Sequence, residues 1–573
     1  MKYRWSLAPA QPVLATQLAG AMRISPLLAQ CLVNRGLTEE GPARRFLQPR
    51  LQDLADPFLL PNMAAAVDRL LAARAREEAV VIFGDYDVDG VTSTTLLSQV
   101  LTALGWKVNC HLPHRLEDGY GLSREGLESC LKRFPVRLLL AVDCGSTSAA
   151  SIEWLREQNV EVIVLDHHQV SSPPPRPVAL VNPQLAPPDA PSFRELCSAG
   201  LSFKLAHALL KRMRADGVAA AQAVDLREHL DLAALGTVAD VVPLTGENRI
   251  LTKTGLEKLD VTRRPGLAAL KNVAQCRSPV DTYAVGFQLG PRLNAAGRLE
   301  TAEASLQLLM SSSAAEAAKL ARQLDECNRE RQNIEKAIVA EVLASLKSRF
   351  DPQRDFAIVE GRATWHIGVV GIVASRVLQE FYRPTIILGG DGDRWRGSGR
   401  SIEGFDLAAA LRSCGDLLDR HGGHAMAAGL TLQPGRLDQF RARLNELAQA
   451  GLKTEQFQPG LTLDAEAPLS DLTLEGVADL DKLRPVGQQN PPPRLWIRDL
   501  AHAQPPFRMG RENQHVKFRV KDQAGRTMEA VWWKGAALPA PTPPFDLAVE
   551  PSVNEYNGTR RVQLKLLDWR PQK

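Results

Sequence analysis

Three aspartates at alternate positions follow an apolar run after a single glycine: Ala79-Val80-Val81-Ile82-Phe83, then Gly84, then Asp85-Tyr86-Asp87-Val88-Asp89-Gly90. Carboxylates this close repel, and each makes its neighbour harder to ionise. A divalent cation with oxygen ligands relieves that cost. Helix capping also draws carboxylates to such positions, but a cap does not need three. The arrangement recurs twice. Leu140-Ala141-Val142 runs into Asp143-Cys144-Gly145, and Val162-Ile163-Val164-Leu165 runs into Asp166-His167-His168. Neighbouring residues at a strand end point in different directions. One histidine can therefore hold a metal while the other faces a substrate phosphate, with Asp166 orienting an imidazole. Asp240, within Gly236-Thr237-Val238-Ala239-Asp240-Val241-Val242-Pro243-Leu244, is an isolated carboxylate in small apolar surroundings. Burying it unpaired would cost on the order of several kcal/mol. A cation is the simplest partner, and a helix cap or an ion pair is the alternative. Rich in oxygen and free of cysteine pairs, the set suits Mn²⁺ or Mg²⁺ and argues against structural zinc. Two ions roughly 3.5–4 Å apart, sharing a bridging aspartate, would generate a hydroxide and stabilise in-line displacement at phosphorus.

The segments that must position these residues alternate between strand and helix. A strand ends at Phe83, Val91 to Leu104 has helical spacing, Arg137 to Val142 is a strand, Ser148 to Gln158 a helix and Val160 to Leu165 a strand. This pattern predicts a parallel sheet covered on both faces, with ligands at the C-terminal edge of its strands. Consecutive prolines make 171–177 and 182–191 loops. Residues 198–214 and 219–235 read as helices. A long helix over 314–350, with Leu320, Leu324, Ile334, Ile338, Val342 and Leu346 at helical spacing, suits a connector between two domains. A second α/β pattern runs from Phe356 to about Leu447 and contains the glycine-rich stretch 389–399, read as a loop. Beyond Gly451 short period-two segments, at 516–520, 528–533 and 562–566, predict an OB-type β-barrel. The expected division is a helical segment over 1–75, a catalytic α/β domain over 76–313, the connector over 314–350, a smaller α/β domain over 351–450 and the barrel over 451–573.

Bulk properties narrow the class. At 573 residues the chain is too long for one core. A net charge of +4 is too small to indicate nucleic acid by itself, so local clusters must carry that argument. The eight cysteines are scattered without a CxxC pair, which fits a reducing cytosol. The N-terminus has no apolar leader and no run reaches membrane-spanning length, so a cytoplasmic, membrane-free protein is expected.

Candidate phosphate ligands lie further along. Arg292, Asn294 and Arg298 follow the turn-prone Gly290-Pro291, and arginine forks suit non-bridging phosphate oxygens. Ser398 and Arg400 flank glycines that would let bare backbone approach an anion. The barrel would add a basic track of Arg508, Arg511, Lys517, Arg519, Lys521, Arg560, Arg561 and Lys565. Phe507, Phe518, Trp532, Trp533 and Tyr556 are its stacking candidates, about half of them core.

Taken together, Asp-Tyr-Asp-Val-Asp-Gly, Val-Asp-Cys-Gly, Asp-His-His, Gly-Thr-Val-Ala-Asp-Val-Val-Pro-Leu and Gly-Pro-Arg-Leu-Asn-Ala-Ala-Gly-Arg-Leu resemble the successive motifs of the DHH phosphoesterase superfamily, and in particular its single-strand-specific exonuclease branch. Residues 365–376, Gly397-Ser398-Gly399-Arg400-Ser401 and Gly422-Gly423-His424 are similar to hallmarks of the DHH-associated domain. The resemblance implies a DHH domain, a smaller DHH-associated domain and an OB barrel. It implies Asp87 and Asp89 as metal ligands, Asp85 as a ligand or an outer partner, Asp143 as the bridge, and His167 and Asp240 completing the site. His168 would contact the scissile phosphate, with Asp166 behind it. Arg115, Ser398 and Arg400 would hold a 5′-terminal phosphate, and Arg376 would bind the strand. His424 would reach the same phosphate path, although a packed histidine fits its position as well. The implied activity is 5′-to-3′ hydrolysis of single-stranded DNA by two Mn²⁺ or Mg²⁺ ions, in DNA repair and recombination. The implied enzyme is a monomer, with single-strand-binding protein and a RecQ-type helicase as partners.

Two departures stand out. Phe83 occupies a position often held by histidine in the family, and Val486 and Gln489 replace Phe and Gly in a Pro-Phe-Gly-x-Gly-Asn-Pro signature. Two other readings compete. Superfamily phosphodiesterases for short oligonucleotides or cyclic dinucleotides share the two catalytic domains but usually lack the barrel. A silent strand-binding member would have lost metal carboxylates that are all present here.

Overall fold

The computed structural model describes residues 3–572 except 116, 117, 120, 188–192 and 391. The first sheet is five-stranded and parallel, in the order Lys107–His111, Ala79–Gly84, Leu138–Val142, Glu161–Leu165 and Ala179–Val181. Helices cover both faces, so the central strands are apolar nearly throughout: Val80 to Phe83, Leu138 to Val142 and Val162 to Leu165 are all buried. Register then decides where the site falls. Gly84 pairs with Val142 and Val142 with Leu165, so the chain leaves three adjacent strands at one level. Asp85, Asp143 and Asp166 emerge side by side.

The helices Val88–Ala103, Ala149–Glu157 and Ser198–Ala215 form where the spacing places them. The helix expected over 219–235 is broken into Ala219–Ala223 and Leu230–Ala239. Asp225 causes the break, because its side chain accepts from the Arg227 backbone N–H, a local bond that competes with helix. The helix Met63–Ala75 packs Met63, Val67 and Leu70 into the core of the first domain rather than with the N-terminal segment. That segment also contains a strand, Arg4–Leu7, which pairs in parallel with Gly460–Leu463. Trp5 fixes it by donating from Nε1 to Asp568 Oδ2 over 2.9 Å.

The connector is one helix, Ala314–Arg349, of 36 residues, or about 54 Å at 1.5 Å per residue. Leu320 and Leu324 join the first core, while Ile338, Val342 and Leu346 join Trp365, Val370 and Val377 in the second domain. Between these apolar ends lie Asn328, Arg331 and Glu335, buried but polar.

The glycine-rich stretch is not a loop. Trp395–Arg400 is the central strand of the second sheet, ordered Arg420–Gly423, Ala427–Leu432, Trp395–Arg400, Thr385–Gly389 and Ile358–Gly361. A Cβ at Gly397 would lie 2.9 Å from Leu388 and Leu430, and one at Gly399 2.6 Å from Leu407. The glycines therefore serve close core packing, and strand alternation turns Ser398 and Arg400 to the opposite face.

In the last domain the strands Leu495–Met509, His515–Lys521, Thr527–Trp532, Thr559–Pro571 and Phe545–Tyr556 pair in that order, and the last pairs back with the first. This is a closed barrel. Two of its strands escape the period-two pattern. Leu495–Met509 shifts register on either side of Gln504 and carries Pro505 and Pro506, and Phe545–Tyr556 carries Pro551. Phe518 and Trp532 are core, whereas Phe507 and Trp533 are about half exposed. The side chain of Tyr556 lies outside the described residues. Among those residues no helix is long and apolar enough to cross a membrane.

Candidate metal centre and its groove

The turn after Gly84 closes only because residue 90 is glycine: a Cβ there would lie 2.4 Å from the Asp85 carbonyl oxygen. Asp87 caps the helix Val88–Ala103, its side chain accepting from the Gly90 N–H, so the capping alternative holds at this residue. Asp89 is buried and points the other way. Its two oxygens accept from the Ser198 and Ala199 backbone N–H groups at 2.8 Å each, so the helix Ser198–Ala215 presents its positive end to this carboxylate. Asp143 accepts from Ser198 Oγ at 2.9 Å. It is left-handed at φ +65°, and the exposed Val241, just after Asp240, is left-handed at +61°. Such backbone is held only where its surroundings over-determine it.

His167 reaches into the centre of this cluster. Its Nε2 lies 3.5 Å from Asp143 Oδ1, 3.5 Å from Asp240 Oδ2 and 3.9 Å from Asp89 Oδ2. Ligand atoms of Asp85, Asp87 and Asp143 lie within 4.8 Å of one another, as do those of Asp143, His167 and His168, and those of Asp89, Cys197 and Asp240. Asp143 belongs to two of the three sets. Among the described residues, Asp85 Oδ1, Asp240 Oδ2 and His167 Nε2 are buried without a hydrogen-bond partner. Unpaired buried polar atoms are costly, and three converging in one place fit cations between them. Electrostatics agree. Burial first, and then the neighbouring carboxylates, hold Asp85, Asp89, Asp143 and Asp240 all above the ordinary carboxylate range. The donor set fits two divalent ions, and addition of Mn²⁺ is expected to raise the melting temperature. At a hundred times the dissociation constant the stabilisation is about 2.7 kcal/mol; a melting curve indifferent to Mn²⁺ would remove the metal reading.

His168 is arranged differently. Its Nδ1 lies 2.7 Å from Asp166 Oδ1, which also accepts from the His167 and His168 backbone N–H groups. Burial pulls the imidazole down, but the Asp166 bond and charge raise it to about 9, so the ring is cationic at neutral pH. Asp166 stays ionised despite its burial because of the hydrogen bond and charge of His168, then the charge of His167 and a hydrogen bond with the Ser146 side chain.

Beside the centre runs a cleft of about 430 Å³, walled by Ala239, Phe287, Asn294 and Arg298 of the first domain, Arg331, Gln332 and Lys336 of the connector, and Arg376 of the second. The polar middle of the connector is its floor. Glu335 accepts from both Arg331 and Arg376 and so aims them. Arg115 lies over the Tyr86 ring, 5.0 Å from its centroid. Burial and then the charge of Arg115 pull both Arg298 and Arg400 below the ordinary arginine value. Ser398 and Arg400 meet Gly371, where a Cβ would lie 2.9 Å from Ser398 Oγ and 3.3 Å from an Arg400 nitrogen. His424 is exposed, and its N–H donates to Ala427 O, whose strand partner is Arg400.

Arg292 is the candidate that the structure takes elsewhere. Its Nε donates to Asp325 Oδ1 at 2.9 Å and its Nη1 to Gln288 O at 2.6 Å, so it ties a helix to the connector. Asn294 lines the cleft, yet its Oδ1 accepts from the Val88 N–H and steadies the aspartate turn. Ser198, Arg331 and Lys336 were missed. For the last two the signal was charge interrupting the apolar spacing of a long helix.

Comparison with known proteins agrees in all three domains. The model of the DHH family, N-terminal domain, matches residues 79–237, the DHHA1 domain matches 354–450 and the RecJ OB domain matches 463–568. The single-stranded-DNA-specific exonuclease RecJ of Bacillus subtilis (strain 168) is 36% identical over 572 residues, which cover 99% of this chain and 71% of the relative. That of Escherichia coli (strain K12) is 33% identical over 569 residues, 94% of this chain and 95% of the relative. The crystal structure of RecJ in complex with Mn²⁺ from Thermus thermophilus matches with a TM-score of 0.85 at 31% identity, covering 100% of this chain and 80% of that one. A crystal structure of exonuclease RecJ bound to manganese matches at 37% identity and a TM-score of 0.59, covering 69% of this chain and 96% of that one. On this likeness across nearly its whole length, the chain belongs to the RecJ family of the DHH superfamily.

Proposed function

We propose that the protein is a single-stranded-DNA-specific exonuclease that removes nucleotides from the 5′ end, using two divalent ions, Mn²⁺ or Mg²⁺. One observation carries the reading: Asp143 from a strand end and Asp240 from a helix end converge on His167 Nε2 beside a cleft lined with arginines from two domains and the helix between them. Asp85, Asp87, Asp89, Asp143, His167 and Asp240 hold the ions. Bound there, the ions supply an activated water and neutralise charge developing on the phosphate. His168, kept cationic by Asp166, donates to a non-bridging oxygen of the scissile phosphate and stabilises the same charge. Arg298, Arg331, Lys336 and Arg376 line the strand's path. Arg115, Ser398 and Arg400 take the 5′-terminal phosphate, with His424 at the same sheet edge, and this anchoring sets the polarity. The barrel extends the grip on single-stranded DNA. The wider reading is a cytoplasmic monomer in DNA repair and recombination, working beside single-strand-binding protein and a RecQ-type helicase; the family resemblance alone supports that part.

The test is digestion of 5′- and 3′-labelled single strands with Mn²⁺. Mononucleotides are expected from the 5′ end only, with a 5′-phosphate preferred over a 5′-hydroxyl. Arg400→Ala is expected to erase that preference and to weaken binding of the phosphorylated strand about tenfold or more, the value of one charge-assisted bidentate contact. Digestion from the 3′ end would overturn the assignment.

A further inference from the structure

Cys197 is a potential ligand at the metal centre that the proposed chemistry leaves unused. It stands at the N-cap of the helix Ser198–Ala215, a position that favours serine, threonine, asparagine or aspartate over cysteine. Its side chain is fully buried. The sulfur is within hydrogen-bond reach of the Asp89 carboxylate and lies 3.5 Å from Thr237 Oγ1. Ligand atoms of Asp89, Cys197 and Asp240 lie within 4.8 Å of one another, and among the described residues no other cysteine belongs to such a set. Packing brings the three together. A Cβ at Gly236 would lie 2.9 Å from Asp89 Oδ1, so the helix that ends just before Asp240 presses close to Asp89. Among the described residues, Asp240 Oδ2 is buried without a hydrogen-bond partner. His167 Nε2, also without one, faces the same two carboxylates, 3.5 Å from Asp240 Oδ2 and 3.9 Å from Asp89 Oδ2.

We infer that Cys197 makes the Asp89–Asp240 corner a capture site for thiophilic divalent ions, zinc above all, and that an ion caught there stalls the enzyme. The role rests on the metal centre proposed above, where Asp89 and Asp240 each help to hold the Mn²⁺ or Mg²⁺ pair. Those hard ions gain little from sulfur, whereas a thiolate favours Zn²⁺ and Cd²⁺ strongly. Zinc takes such ligands in fours, so two carboxylates and one sulfur leave the last position to water or an imidazole. The ion displaces the thiol proton, which leaves to solvent as the sulfur–metal bond forms. Asp89 and Asp240 are then committed to the captured ion and lost to the catalytic pair. The same two carboxylates thus serve turnover with hard ions and arrest with soft ones.

The test adds Cd²⁺ to the metal-free protein and reads the ultraviolet charge-transfer band of a cadmium–thiolate bond. One equivalent is expected to give the band in the wild type and none in Cys197→Ser, which keeps the shape of the side chain and is a good N-cap. Asp240→Asn retains the thiol and is expected to weaken Cd²⁺ binding about tenfold or more, since even an outer partner of a metal ligand is worth that much. A melting curve checks that Cys197→Ser folds, and Asp240→Asn carries the test where it does not. Zn²⁺ added to the Mn²⁺-loaded protein is expected to inhibit digestion of a 5′-phosphorylated strand. Cys197→Ser, measured against its own turnover in Mn²⁺ alone, is expected to need about tenfold more Zn²⁺ for the same inhibition. A band that survives in Cys197→Ser, a Cd²⁺ affinity indifferent to Asp240→Asn, or equal zinc sensitivity in the two proteins overturns the capture site. If the wild type digests no single strand with Mn²⁺, the exonuclease reading fails instead, and the cadmium band still judges Cys197.

Discussion

Asp143→Asn is expected to lower turnover about a thousandfold or more while making the metal-free protein more stable. On the proposed function Asp143 would hold the ions, and losing such a ligand would forfeit several kcal/mol of transition-state stabilisation, at about 1.4 kcal/mol per tenfold. The substitution isolates charge from shape. Asparagine tolerates the left-handed backbone that Asp143 adopts at φ +65°, and it keeps an oxygen for the Ser198 hydroxyl. Alanine would add backbone strain and a cavity to the lost ligand. The stability change has the opposite sign because Asp143 is buried and faces the charges of Asp85, Asp87, Asp89 and Asp240. A neutral amide removes part of that repulsion, so the apo melting temperature rises, whereas the rise on adding Mn²⁺ shrinks. Turnover and melting curves with and without Mn²⁺ check both halves. Near-normal turnover, or a full Mn²⁺ response in the variant, would remove Asp143 from the bridge.

The site was legible where local sequence determines geometry. A strand that ends in a carboxylate is a local fact, and parallel register does the rest: Gly84, Val142 and Leu165 lie level, so three separate motifs had to meet. What stayed hidden depends on packing between segments distant in the chain. Arg292 looks like Arg298 in sequence, but Asp325 on the connector claims it. Gly397 and Gly399 look like an anion loop until Leu388, Leu407 and Leu430 are seen pressing on them. The strand Arg4–Leu7 finds its partner more than 450 residues away, at Gly460–Leu463, and four residues show too little period to be read. The two departures from the family pattern also gain a physical account. Phe83 is fully buried against His111, with ring centroids 5.2 Å apart, so this position contributes packing rather than a ligand. Gln489 stands where the signature has glycine, and at φ +56° it occupies the left-handed region that favours glycine.

Arg249→Met is expected to loosen the barrel from the catalytic domain, lowering stability by about 3 kcal/mol or more. Arg249, on the helix Gly246–Asp260, is 1% exposed, and among the described residues no carboxylate is its hydrogen-bond partner. Its guanidinium donates instead to backbone carbonyls: Phe46 at 2.6 Å, Arg484 at 2.9 Å, and Leu483 and Pro485 at 3.0 Å each. It also lies over the Phe46 ring, 3.8 Å from the centroid. Burial lowers its pKa to about 9, so the charge is retained at neutral pH, held by carbonyl dipoles and the face of the Phe46 ring. One side chain thus joins the N-terminal segment, the catalytic domain and the approach to the barrel. Methionine fills much of the space but takes the donor from the Phe46 and Arg484 carbonyls, at about 1–3 kcal/mol for each buried group left unsatisfied. Relief from burying a charge returns part of this, which sets the net near the lower end. Lysine would not rescue the site, because one ammonium cannot match the planar fork. Asn490 Nδ2 still binds the Leu483 and Pro485 carbonyls, so the segment is expected to loosen rather than unfold. Chemical denaturation and limited proteolysis across 482–490 check the outcome; a variant within about 0.5 kcal/mol of wild type, the range of ordinary surface substitutions, would overturn it. The same segment accepts from Thr282 through Val486 and from the Leu244 N–H through Gln488, so it braces the wall that carries Phe287 and the turn after Asp240. Slackening it is therefore expected to raise KM for long strands more than for short ones, because the barrel and the groove then no longer hold one strand along a common line.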